Sequence, residues 1–139
     1  MSTSLRPEVS KSNPYWIERH RYYELKHFCM QYPFWKYLHD SLASKISTPS
    51  LNKPIGEATT LSDPVTFSLD ELSRLSDKIK MLERIAKETD PVLGKFVLRG
   101  VTEGISYDIL RMKTCVPCCK DVYYDLYRRF FWLLDKERQ

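Results

Sequence analysis

The stretch ISYDILRMKTCVPCCKDVYYDLYRRFFW, residues 105–132, decides the fold. Ser106 has the side chain of a helix N-cap, and Ile109, Leu110 and Met112 are the apolar positions of a short helix over Tyr107–Lys113. Thr114 to Pro117 then makes a tight turn, and a long helix runs from about Cys118 to Lys136. Short helix, turn and long helix in that order are the layout of a helix-turn-helix. Its first helix braces the second, and the second lies in the major groove of DNA.

The long helix has two unlike sides. Successive steps of about 100° from Val122 place Cys119, Val122, Tyr123, Leu126, Phe130 and Leu133 together. The other side carries Lys120, Asp121, Tyr124, Asp125 and Arg128. Lys120 and Arg128 can reach phosphates or guanine acceptors, and Tyr124 can bond a phosphate or pack on a thymine methyl. Asp121 and Asp125 either accept from cytosine amino groups or only hold the neighbouring cations in place. The helix N-terminus attracts phosphate through its free amides. Arg111 and Lys113, late in the bracing helix, are candidates for the adjoining phosphates. The competing reading of the same pattern is a plain helical hairpin with a solvated polar face.

Working outward, the rest of the chain also reads as all-α: a helical bundle with the helix-turn-helix at its C-terminal end. Only four of the 139 residues are glycine, and the eight prolines sit mostly near segment ends. Residues 1–14 read as a flexible arm. Residues 15–46 read as an aromatic-rich helix that Pro33 either kinks or divides. Residues 47–67, with Pro49, Pro54, Gly56 and Pro64, read as a linker. Residues 68–139 form the helical domain. It opens on a capping box, Ser68-Leu69-Asp70-Glu71, followed by one apolar stripe of Leu72, Leu75, Ile79, Leu82 and Ala86. Asp90 and Pro91 suit the N-cap and first position of a further helix to about Leu98, which buries Val92, Phe96 and Val97. Gly100 and Gly104 bracket a short turn.

Charge is unevenly spread. Residues 1–47 carry seven basic and four acidic side chains, residues 48–90 six and eight, and residues 91–139 nine and six. A local surplus of cations at the two ends suits phosphate contacts better than the modest net charge of +4 suggests.

A resemblance then bears on function. The stretch Thr102 to Leu110, followed by Val116-Pro117-Cys118-Cys119-Lys120-Asp121-Val122-Tyr123-Tyr124, resembles the end of phage transcriptional regulators of the ArpU and RinA type, which are themselves similar to region 4 of sigma factors. The matching features are the turn, the basic-acidic pair Lys120-Asp121 and the aromatic pair Tyr123-Tyr124. His20 to Cys29 is similar to the opening of small proteins of Gram-positive phages and mobile elements. The resemblance covers roughly the first thirty and last forty residues. It implies a sigma region 4-like fold, double-stranded DNA as partner and a role in late phage gene transcription. The Cys118-Cys119 pair departs from it, because a small polar N-cap is expected there.

Other constellations point elsewhere. Cys115-x-x-Cys118-Cys119 has thiol spacing that can share zinc, but no second pair lies nearby, so no metal is expected and inert, buried or semi-buried thiols are the default. With no catalytic serine, paired carboxylate motif or phosphate loop, neither an enzyme nor a cofactor is expected. No apolar run is long enough for a membrane span, and residues 1–13 lack the apolar core of a signal peptide, so a cytoplasmic location in a bacterial host is expected. The aromatics Tyr22, Phe34, Trp35, Phe131 and Trp132 form the candidate surface for a partner or a homodimer, since large exposed apolar groups mark association sites, although one of Phe131 and Trp132 is expected to pack against the aromatic N-terminal helix instead. Two functions follow. One is a sequence-specific DNA-binding regulator. The other is a phage-encoded interaction module that binds a host protein, such as RNA polymerase or a defence nuclease.

Overall fold

A computed structural model describes the backbone of residues 13–47 and 63–139, and the side chains of residues 13–45 and 69–139. Most of the expected arm and most of the expected linker lie outside the described residues. Six helices and no strand occur among those described.

The aromatic N-terminal segment is two helices, so Pro33 marks a division and not a kink. Glu18 is extended, and its carboxylate accepts from the amides of His20 at 3.0 Å and Arg21 at 3.2 Å, which holds its pKa below the usual value. It therefore caps α1 (Arg19–Cys29), four residues later than the sequence suggests. The break falls at Met30 and Gln31. Pro33 then sits in the first turn of α2 (Tyr32–Ser47), where its missing N–H costs no helical bond.

The third helix starts earlier than expected. α3 spans Asp63–Thr89, with Pro64 in its first turn. Residues 63–67 are thus helical, and Ser68 lies inside α3 instead of capping it.

The described chain divides into two compact units, with boundaries inside α2 and α3. The smaller unit is residues 34–80. In it Trp35, Leu75 and Ile79 are buried, the Lys78 ammonium lies 5.4 Å from the Trp35 ring centre, and Phe34 and Tyr37 are exposed.

The larger unit holds α1, the end of α3, α4 (Gly94–Glu103), α5 (Tyr107–Lys113) and α6 (Lys120–Glu137). α6 packs on α1 and α4, and α4 also packs on α1 and α5. Tyr22, Leu25, Leu82, Ile85, Val97, Val101, Leu110, Tyr123, Phe130, Phe131 and Leu134 fill the core. Each such side chain contributes about 1.5–3 kcal/mol by leaving water. Ion pairs clamp the rim: Arg21 to Asp135 at 2.6 Å joins α1 to α6, and Arg84 to Glu137 at 2.8 Å joins α3 to α6.

The α3–α4 corner shows why α4 begins at Gly94 and not at Pro91. Asp90 Oδ1 accepts from the amides of Val92 and Leu93, both at 2.8 Å, and makes Pro91–Leu93 a separate turn. Val92 consequently points into solvent, against expectation, while Val97 is fully buried. At Gly94 a Cβ would lie 1.9 Å from the Ala86 carbonyl oxygen, so only glycine lets α4 approach α3 this closely. Nor do the next two glycines bracket a turn. Gly100 is buried within α4, and Gly104, in the left-handed region at φ 67°, ends it.

Candidate nucleic-acid interface

Ser106 does begin α5. Its backbone is extended, and its hydroxyl accepts from the Ile109 amide at 3.3 Å. The helix ends at Lys113, as the pattern predicts. Its buried residues, however, are Tyr107 and Leu110. Ile109 is 46% and Met112 86% exposed, so two of the three expected apolar positions face outward.

Residues 114–119 form the connection, two residues longer than the sequence suggests, and α6 begins at Lys120. Cys119 is its N-cap, but makes no side-chain capping bond. The first-turn amides therefore gain no acceptor from it. Tyrosines supply the bracing between the two helices. The Tyr107 amide donates to the Tyr124 hydroxyl at 3.0 Å, and the Tyr107 hydroxyl donates to the Cys118 carbonyl at 2.6 Å. The Tyr107 and Tyr123 rings lie 5.4 Å apart.

These contacts correct the facing of α6. Its inner side is Tyr123, Tyr124, Tyr127, Phe130, Phe131 and Leu134, while Val122 is 42% exposed. The apolar stripe is thus rotated by about one residue from the expected one. Tyr124, expected among the DNA contacts, is packed inward with its hydroxyl engaged. The shift has a cause in the partners. α1 presents Tyr22, whose hydroxyl is 3.0 Å from that of Tyr127 and whose ring is 5.1 Å from Phe131. Burial pushes the hydroxyls of Tyr123, Tyr124 and Tyr127 up from their ordinary pKa, so all stay neutral at physiological pH.

The remaining DNA candidates lie outside this core, and most are ion-paired. Lys113 is 3.5 Å from Glu103, Lys120 is 3.5 Å from Asp108, and Arg128 is 3.0 Å from Asp125. Such pairs are worth at most about 1 kcal/mol in water, so a phosphate can displace the carboxylate cheaply. Asp125 does what one sequence reading proposed and holds Arg128; Asp108, which was not foreseen, holds Lys120. Arg111 and Asp121 are exposed. Arg128 is the least free of the set, with 22% side-chain exposure and a buried Nε that has no hydrogen-bond partner among the described residues.

The candidate partner surface is mostly taken up internally. Tyr22 and Phe131 are core residues facing each other, and Trp35 is buried in the smaller unit. Trp132 is half-buried, edge-on to Tyr15 at 5.4 Å with the Lys136 ammonium 4.2 Å from its ring centre. Of the five expected residues only Phe34 is largely exposed, at 59%. Met112 at 86% and Val122 at 42%, both read from the sequence as apolar positions of their helices, are exposed as well. No group of three His, Cys, Asp or Glu side chains among the described residues is arranged to hold a metal, and no helix among them is long and apolar enough to cross a membrane. Comparison with protein-family models, curated proteins and solved structures finds no match.

Proposed function

We propose that the chain is a sequence-specific, double-stranded DNA-binding regulator of phage gene transcription that acts in the cytoplasm of a bacterial host. α5, the connection and α6 would serve as its helix-turn-helix. The observation that carries this reading is the division of α6. Its inner side is an aromatic core braced to α5, while Lys120, Asp121, Val122 and Asp125 in its first turns stay exposed at an N-terminus without a side-chain cap. A rigidly held helix with an open, polar leading end can enter a major groove. The resemblance of residues 102–124 to ArpU- and RinA-type regulators, and through them to sigma region 4, supports the same reading.

In this arrangement Arg111, Lys113 and Lys120 bind phosphates, and Asp121 together with Val122 meets base edges. Tyr124 positions α6 and does not touch DNA. The test is retention of duplex fragments from the chain's own genomic neighbourhood at low salt. Charge reversal by Lys120→Glu or Arg111→Glu is expected to weaken retention by about ten-fold or more. Binding unaffected by either change, or absent at low salt, overturns the reading.

The second reading, a module that docks on a host protein such as RNA polymerase or a defence nuclease, is favoured by the exposure of Met112 and Ile109 three residues apart on one face of α5. The ion pairing of three of the candidate cations points the same way. Capture of such a protein at high salt that is lost with Met112→Asp, alongside absent DNA binding, would select it.

A further inference from the structure

Three of the four cysteines fall within five residues, in the connection between α5 and α6. Cys115 and Cys119 are exposed, Cys118 is half-buried, and Cys29 lies in the core. Of the buried or semi-buried thiols that the sequence suggests, Cys118 fits, while Cys115 and Cys119 are exposed instead. Cys119 also spends no hydrogen bond on capping α6.

We infer that this connection is a thiol-modification site, at which Cys115 and Cys119 exchange with low-molecular-weight disulfides and a group added at Cys119 regulates the docking of α6. The regulatory half rests on the DNA-binding reading; the modification itself does not. In the exchange the Cys119 thiol releases its proton, and the thiolate attacks one sulfur of the disulfide. A bond forms between Cys119 Sγ and that sulfur, and the original sulfur–sulfur bond breaks. The other half leaves with the electron pair as a thiolate and takes up the proton. Cys119 is oxidised, and one half of the disulfide is reduced to a thiol.

The fold makes the exchange selective. The thiolate is the nucleophile, and burial pushes the Cys118 and Cys29 thiols up from their usual pKa, which keeps both protonated. The Tyr107 hydroxyl anchors the Cys118 carbonyl, so the connection stays attached to α5 while the neighbouring thiol reacts. Position explains the consequence. Cys119 adjoins Lys120 at the leading end of α6, so a bulky anionic group there sits where the helix N-terminus would meet a phosphate.

The experiment treats the full chain with oxidised glutathione and follows intact mass and peptide maps with time. Cys115 and Cys119 are expected to react about ten-fold or more faster than Cys118 and Cys29. Equal rates at all four, or no adduct at the two exposed thiols, overturn the site. Duplex retention is then measured on Cys115→Ser protein carrying glutathione at Cys119. An approximately ten-fold loss that a dithiol reductant restores, and that Cys119→Ser escapes, is the expected result. Unchanged retention with Cys119 fully modified overturns the regulatory half. If untreated protein binds no duplex, the DNA reading falls and the regulatory half with it, while the mass data still decide the thiol site.

Discussion

The Tyr123 hydroxyl of α6 occupies the space that a side chain at Gly100 of α4 would need: a Cβ there would lie 2.0 Å from the tyrosine oxygen. The hydroxyl is buried and has no hydrogen-bond partner among the described residues. The two helices thus meet with a glycine accommodating a ring, and a polar atom is left unsatisfied in the process. Gly100→Ala is expected to destabilise the fold by about 1–3 kcal/mol, because the Tyr123 ring must move within a packed core. Tyr123→Phe alone should be neutral or slightly stabilising, since it removes an unsatisfied oxygen. Combined with Gly100→Ala it should recover part of the loss. Urea melts of the four proteins in this double-mutant cycle measure the coupling; strict additivity would refute it.

Tyr124 makes the opposite use of its hydroxyl. Tyr124→Phe leaves the Tyr107 amide, at the start of α5, without its acceptor. A loss of about 1 kcal/mol is expected, with faster hydrogen exchange of the Tyr107 amide. On the DNA-binding reading the same change should alter retention only through stability. A large fall in affinity with an unchanged melt would instead place this hydroxyl in the interface.

Asp90 links stability to acid. Its carboxylate accepts from the Leu93 and Val92 amides, which holds its pKa below the ordinary carboxylate value. The stabilisation is therefore present above the unfolded-state pKa of about 4 and fades as pH falls through the lower folded value. Asp90→Asn keeps an acceptor oxygen but cannot titrate. Its urea midpoint should fall less between pH 5 and pH 2 (on the order of the range that brackets carboxylate titration) than that of the parent chain.

At the alkaline end the tyrosines dominate. Tyr32, Tyr123, Tyr124 and Tyr127 all have pKa values raised, chiefly by burial. Folding favours their neutral forms, so this stability is complete below the unfolded pKa of about 10 and is lost as pH rises above it. Ultraviolet titration should show these four resisting ionisation until the chain unfolds. A single smooth titration of all nine tyrosines near pH 10 (about the free value) would contradict the packing.

Salt dependence separates the candidate cations. If Lys120 binds a phosphate, Lys120→Gln should lower the slope of log affinity against log salt by about one, whereas Arg128→Gln should change it less. The difference follows from Arg128 being 22% exposed and tethered to Asp125. Equal slope changes would show that Arg128 is drawn out of its pair on binding.

Local chemistry alone determined much of this protein. The all-α class, the Ser106 cap, the span of α5 and the interruption near Pro33 follow from side chains that act on their own backbone, over three or four residues. Tertiary structure decided the rest, because it depends on what lies opposite. Tyr22 looks like a surface candidate until α1 and α6 meet, and only that meeting decides that Phe131 is the residue packed on it. Tyr124 looks polar and outward until Tyr107 supplies an amide, and the stripe of α6 turns by one residue to fit α1 and α4. Ser68 has the chemistry of a cap, yet helix α3 begins at Asp63. The carboxylates paired with Lys113 and Lys120 lie ten and twelve positions away in sequence, and no periodicity reveals them. A helix-length pattern shows how many faces a segment has. Which face is buried is set by the summed contacts of its neighbours.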